Sequence, residues 1–134
     1  MKDVYVGFCE VVENLAAQTS PPVPVSYPGV GFTPPSAGTW LEVQWHPNRT
    51  VNYGMANEAP SLLRGFGRVL VCYRPGYGIP DGLEMAQRVV DAFAKGTILA
   101  GNVRVYRQPS IGPQLTDPER ISHPVTVDWS GFDA

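Results

Sequence analysis

The stretch LLRGFGRVLVCYRPGYG, residues 62–78, decides how the rest of the chain is read. From Arg68 onward the side chains alternate: Val69, Val71 and Tyr73 fall on one side, and Arg68, Leu70, Cys72 and Arg74 on the other. That period of two is the signature of a long strand. Gly65 and Gly67 predict either a bulge or a close backbone approach near its start, because a residue without a side chain is kept in a strand for one of those reasons. After the Pro/Gly-rich exit the period changes. Asp81 followed by Glu84 predicts a capping-box-like helix start. Leu83, Ala86, Val90 and Phe93, with Val89 beside them, trace a helical stripe, and Lys95-Gly96 closes it with a cation in the last turn and a glycine beyond.

Upstream, Val4, Phe8, Val11, Val12 and Leu15 recur at three-and-four spacing, which predicts an amphipathic helix over Asp3 to Gln18 that is stopped by Thr19-Ser20-Pro21-Pro22. Val23 to Tyr27 reads as a short extended piece confined to a sheet edge, since its proline offers no donor to a ladder. Leu41, Val43 and Trp45 alternate with Glu42, Gln44 and His46 and predict a strand with one face buried. A loop over 47–60 follows. Beyond the second helix, Val103–Arg107 and Ile121–Val127 read as strands separated by QPSIGPQLTDPER. The order is helix, edge piece, two strands, helix, two strands. The expected fold is α+β, a mostly antiparallel β-sheet with two α-helices packed on one face, in a single domain over 1–134.

Composition narrows the function. The chain has 134 residues, and 43% of them are apolar, enough for one core. Charged residues make up only 16%, below the roughly 25% of ordinary soluble domains, whereas Gly and Pro, 14 each, are over-represented. A net charge of −2 supplies no global attraction to nucleic acid or an anionic membrane. The sequence shows neither an apolar run of membrane-spanning length nor a signal-peptide pattern, so synthesis and folding in a cytoplasm are expected, with no membrane partner.

Chemistry is hard to find. A nucleophilic site needs a base and an orienting group, and the two histidines, His46 and His123, sit in no motif. Cys9 and Cys72 read as small buried hydrophobes, and their spacing is not that of a zinc site. Asp117, Glu119 and Asp128 are scattered. Gly29-Val30-Gly31 leads into a strand where a phosphate cradle would need a helix N-terminus. No catalytic, metal or cofactor residues are expected. The coherent polar feature is the shared parity of Arg64, Arg68 and Arg74, which reads either as a solvated sheet face or as a surface facing another subunit or DNA.

Several short motifs carry a family likeness. YPGVGFTPPSAGTWLEV, RGFGRVLVCYRPGYGIPDGLEMAQRVVDAF and a closing IGP ahead of HPVTVDW resemble the tail terminator proteins of long-tailed bacteriophages. The matching positions are Phe32-Thr33-Pro34-Pro35, Trp40-Leu41, Arg64-Gly65, Pro75-Gly76-Tyr77-Gly78 and Ile111-Gly112-Pro113. The resemblance implies a non-enzymatic virion protein of the tail's neck end, assembled in the host cytoplasm. It also implies a hexameric ring of the chain with itself that caps the tail tube protein, ends its polymerisation and meets a head-neck completion protein, with DNA passing non-specifically through the lumen. The expected interaction surface comprises Tyr27, Phe32, Arg49, Tyr53, Arg64, Arg68 and Arg74, set on the 27–38 lead-in, the 47–60 loop and the long strand. Two other readings compete with it: another head-tail joining component, and a small hydrolase using Cys72 or Cys9 with a histidine.

Overall fold

The structure is a computed structural model that describes residues 2–19, 22–35, 38–47, 51–52, 61–75 and 79–132. Helix α1 spans Lys2–Gln18, and α2 spans Ile79–Ala92. The strands are β1 (Val25–Ser26), β2 (Thr39–Pro47), β3 (Val51–Asn52), β4 (Ser61–Tyr73), β5 (Ile98–Ala100), β6 (Val103–Val105), β7 (Ser110–Ile111), β8 (Leu115–Thr116) and β9 (Ile121–Phe132). Together they make one nine-stranded sheet in the order β1-β2-β4-β9-β6-β5. Strand β3 extends the β4 ladder beyond β2, and β7 and β8 follow β6 along the far side of β9. All pairings are antiparallel except β1 with β2.

Both helices cover the same face. Val4, Phe8, Val12 and Leu15 of α1, and Met85, Ala86, Val89, Val90 and Phe93 with α2, form one core with Leu41, Val43, Val69, Val71, Val125, Val127 and Trp129 of the central strands. At roughly 1.5–3 kcal/mol for each large side chain removed from water, this layer is the main stabilising term. It decides the register, because a one-residue slip of β4 would turn Val69 and Val71 out to solvent.

The glycines of β4 are not a bulge. The strand pairs continuously with β9 from Leu62↔Phe132 to Tyr73↔Ile121, so close approach is the reason they are there. Gly67 stands opposite Trp45 and Gly65 opposite Trp129, and the two indoles stack across the space that β4 side chains would fill, 5.0 Å apart and 8° from parallel. Phe8 descends on the same spot. A Cβ at Gly67 would lie 2.5 Å from its ring, which also packs on Trp45 and, at 4.6 Å, on Phe93.

Other boundaries differ from the sequence reading. Helix α2 begins at Ile79, ahead of the expected Asp81 start, and Leu83 is exposed. Gly82 occupies the core position instead, seated on Tyr73 and His123, with Met85 continuing the stripe. Strand β6 ends at Val105, whereas β9 runs on to Phe132 because Leu62 and Leu63 of β4 continue to pair with it. The extended piece over 23–27 contributes only Val25 and Ser26, and parallel to β2. Of the 47–60 loop only Pro47 and strand β3 belong to the described residues.

Candidate functional site

Two features stand apart from the core: the lead-in to β2 and the sheet face away from the helices. The lead-in starts where α1 stops. Thr19 Oγ1 donates to the Ala16 carbonyl at 2.7 Å, and the Val23 amide returns to the same carbonyl at 3.1 Å. Tyr27 then packs, half-buried, against the helix-side core, where burial foremost, and the nearby Glu13 and Cys9 after it, push its hydroxyl pKa up. Pro28 and Gly29 make a tight turn, closed by the Val30 amide donating to the Tyr27 carbonyl at 3.2 Å. Gly29 adopts φ 76°, as the third position of a type II turn demands.

Past the turn the chain crosses to the other side of the sheet. Phe32 packs on a second apolar cluster, Trp40, Leu70 and Cys72, on the helix-free face. Arg74, just beyond β4, fixes the far end. Its Nε donates to the Pro35 carbonyl at 3.1 Å and its Nη1 to the Glu119 carbonyl at 3.2 Å, while the guanidinium lies over Trp40 at 5.3 Å. The segment is thus anchored by Tyr27 on one face and by Phe32 and Arg74 on the other, and it leaves Val30 63% exposed at its tip. Beside it a groove of about 420 Å³ opens between Pro22, Pro24, Pro35 and Thr39 and the α2 residues Asp81 and Met85.

The helix-free face changes character along its length. Near Trp40 it is closed: Arg120 bridges to Glu42 at 3.1 Å and reaches Cys72 Sγ at 3.8 Å, and Asp117 caps the turn by accepting from the Glu119 and Arg120 amides. Toward the other end lie Arg64, Phe66 and Arg68 of β4, Gln44 and His46 of β2, and Asp128 and Ser130 of β9, by strand parity. His46 stacks on Phe66 at 4.8 Å, with the Arg68 guanidinium 5.6 Å from the same ring. Arg104 of β6 pairs in register with Ser130, as Arg64 does from the opposite side, so two arginines flank that serine.

The expected surface residues therefore divide. Arg64 and Arg68 share the open face, Arg74 is engaged within the chain, Tyr27 and Phe32 are anchors of the lead-in, and Arg49 and Tyr53 lie outside the described residues. Arg104 went unnoticed in the sequence, since its place on this face depends on the pairing of a three-residue strand.

Neither histidine is placed to act as a base for Cys72. Cys72 and His123 point to opposite faces, by their register in β4 and β9. His46 lies six residues along β4 from Cys72, about 20 Å away. Burial raises the Cys72 thiol pKa. His123 is buried with its Nε2 2.8 Å from the Tyr73 hydroxyl, and burial lowers its pKa. Among the described residues no three His, Cys, Asp or Glu side chains gather as a metal site would require.

Comparison with known proteins adds the following. A family model described as "Phage tail terminator protein" matches residues 10–129. A solved structure whose name carries no functional description superposes with a TM-score of 0.80 at 23% identity, over 97% of this chain and 94% of that chain, which shows a shared fold. No curated protein matches the sequence.

Proposed function

The chain belongs to the phage tail terminator family and is a structural component of the phage tail, and from that premise we propose that its copies form a closed ring, a hexamer, on the end of the tail tube. The ring halts tube polymerisation and turns its opposite face to the neck of the head. A closed ring needs two different, mutually complementary surfaces on each subunit. The anchored lead-in is the observation that carries this reading. A loop of nine residues from Tyr27 to Pro35, fixed at both ends on opposite sheet faces and stiffened by Pro28, Pro34 and Pro35, has little conformational freedom left to lose on docking. Ordering entropy therefore opposes association only weakly.

The protein makes no covalent chemistry in this role and holds no cofactor. Its partners are other copies of itself, the tube protein and a neck completion protein, assembled in the host cytoplasm.

Adding the protein to polymerising tube protein tests this. Mean tube length should fall as the ratio of terminator to tube protein rises, and growth should stop at occupied tips. Tube lengths that stay constant at every ratio would overturn the reading; inhibition confined to binding at the portal side would favour another head-tail joining role.

A further inference from the structure

The two broad surfaces of the molecule carry opposite charge. On the helices Asp3, Glu10, Glu13, Asp81, Glu84 and Asp91 are exposed, against only Lys2 and Arg88. Glu84 is paired with Arg88, and Asp91 accepts from Gln87. On the open sheet face the two carboxylates are already engaged, Glu42 by Arg120 and Asp128 by Arg107. Arg64, Arg68 and Arg104 have no ion-pair partner among the described residues, and the buried Nε of Arg68 has no hydrogen-bond acceptor among them either. A buried donor left without an acceptor costs about 1–3 kcal/mol, so an incoming carboxylate would relieve it.

We infer that the open sheet face, through Arg64, Arg68 and Arg104, docks the outer face of α1 from a second copy of this chain, with Glu10 and Glu13 as its carboxylates. This rests on the ring reading above and identifies the surfaces that meet. Charge complementarity selects the occupant: six of the chain's twelve Asp and Glu residues lie on the helices, and its unpaired arginines among the described residues lie on the sheet. Head-to-tail contact therefore neutralises both. Val6, on the same outward stripe as Glu10 and Glu13 and 42% exposed, gives the apolar contact that half-buried Phe66 can accept. The contact is heterologous, as a ring requires.

A charge-swap experiment tests the inference on the full chain. Arg64→Glu with Arg68→Glu, and separately Glu10→Arg with Glu13→Arg, are followed by native mass spectrometry and by cosedimentation with tubes, with thermal melting as the fold check. Each variant alone should lose ring formation at least tenfold. An equimolar mixture should recover it to within about threefold, because every contact in an alternating ring then pairs opposite charges, and such a ring closes for an even number of subunits. Should this arginine reversal unfold the chain, Arg64→Glu with Arg104→Glu, both at exposed positions, carries the same test.

Variants that assemble like the wild type, or a mixture that fails to recover, would overturn the inference and leave the ring standing. Loss of affinity for a double-stranded DNA fragment with ring formation intact would overturn it too, by making the face a lumen wall. A wild-type protein that forms no ring, alone or on tubes, removes the ring reading and this inference with it.

Discussion

Arg74→Ala should release the lead-in while leaving the core folded. The side chain contributes two hydrogen bonds to main-chain carbonyls, at Pro35 and Glu119, and a cation–π contact with Trp40. Fully buried, each charge-assisted bond could be worth about 1.5–3 kcal/mol. Here Arg74 is half-buried and water replaces part of what is lost, so about 0.5–1 kcal/mol for each bond and a similar amount for the ring contact is the better scale. The total, about 2 kcal/mol, corresponds to roughly a 30-fold rise in the local opening equilibrium. Hydrogen exchange reads it at the Val30 amide, the one in the segment that is held by a hydrogen bond among the described residues, to the Tyr27 carbonyl. That amide should exchange up to about 30-fold faster, with those of β4 and β9 unchanged, and tube capping should weaken with the loss of the closed lead-in. Arg74→Lys should behave almost like alanine, because an ammonium cannot span both carbonyls with a planar fork. Unchanged protection at Val30 would refute the clamp, and a collapse of the whole fold would assign Arg74 to the core.

Gly67→Ala should destabilise the protein, because overpacking against Phe8 costs about 1–3 kcal/mol and outweighs the roughly 0.5–1 kcal/mol gained by constraining the unfolded chain. The thermal midpoint should drop by roughly 3–8 °C, and adding Phe8→Leu should return part of it; a rise on Gly67→Ala alone contradicts the packing described. Burial holds the His123 pKa below its unfolded value, so the unfolded chain binds the proton more readily. Stability is then complete above about pH 6.5 and falls as pH drops through that value. His123→Asn should flatten the melting profile between pH 7 and 5, and an identical slope in both proteins counts against this. The Cys72 thiol, buried and raised in pKa, should resist labelling by a thiol reagent at pH 7.5 until the protein is denatured. Fast native labelling would show that the Trp40–Leu70–Cys72 cluster is open.

The long elements were legible in the sequence because they repeat their pattern often enough to be read. Helix α1 shows four turns of one stripe, and β2 and β4 several alternations each. Strands β3, β7 and β8 have two residues apiece, too few to display a period, and they exist only because β4 and β9 offer ladders to join. The stripe of α2 is legible at Ala86, Val89, Val90 and Phe93, all buried, and departs from the structure only in its first turn. A glycine, Gly82, holds the core position that an apolar residue would normally announce, and Leu83 beside it drew the stripe toward solvent. The face shared by Arg64 and Arg68 followed from parity in an unbroken strand. The engagement of Arg74 did not, since its carbonyl partners lie 39 and 45 residues away in the chain and are joined to it only by the fold.

Electron microscopy of tube ends after incubation with the purified protein tests the central claim most directly. The account predicts an annular density on one end of each tube, with subunits in contact through unlike surfaces and the Val30 turn held against the tube or a neighbouring copy. Bare ends at saturating protein, or isolated monomers scattered along the tube wall, would contradict it.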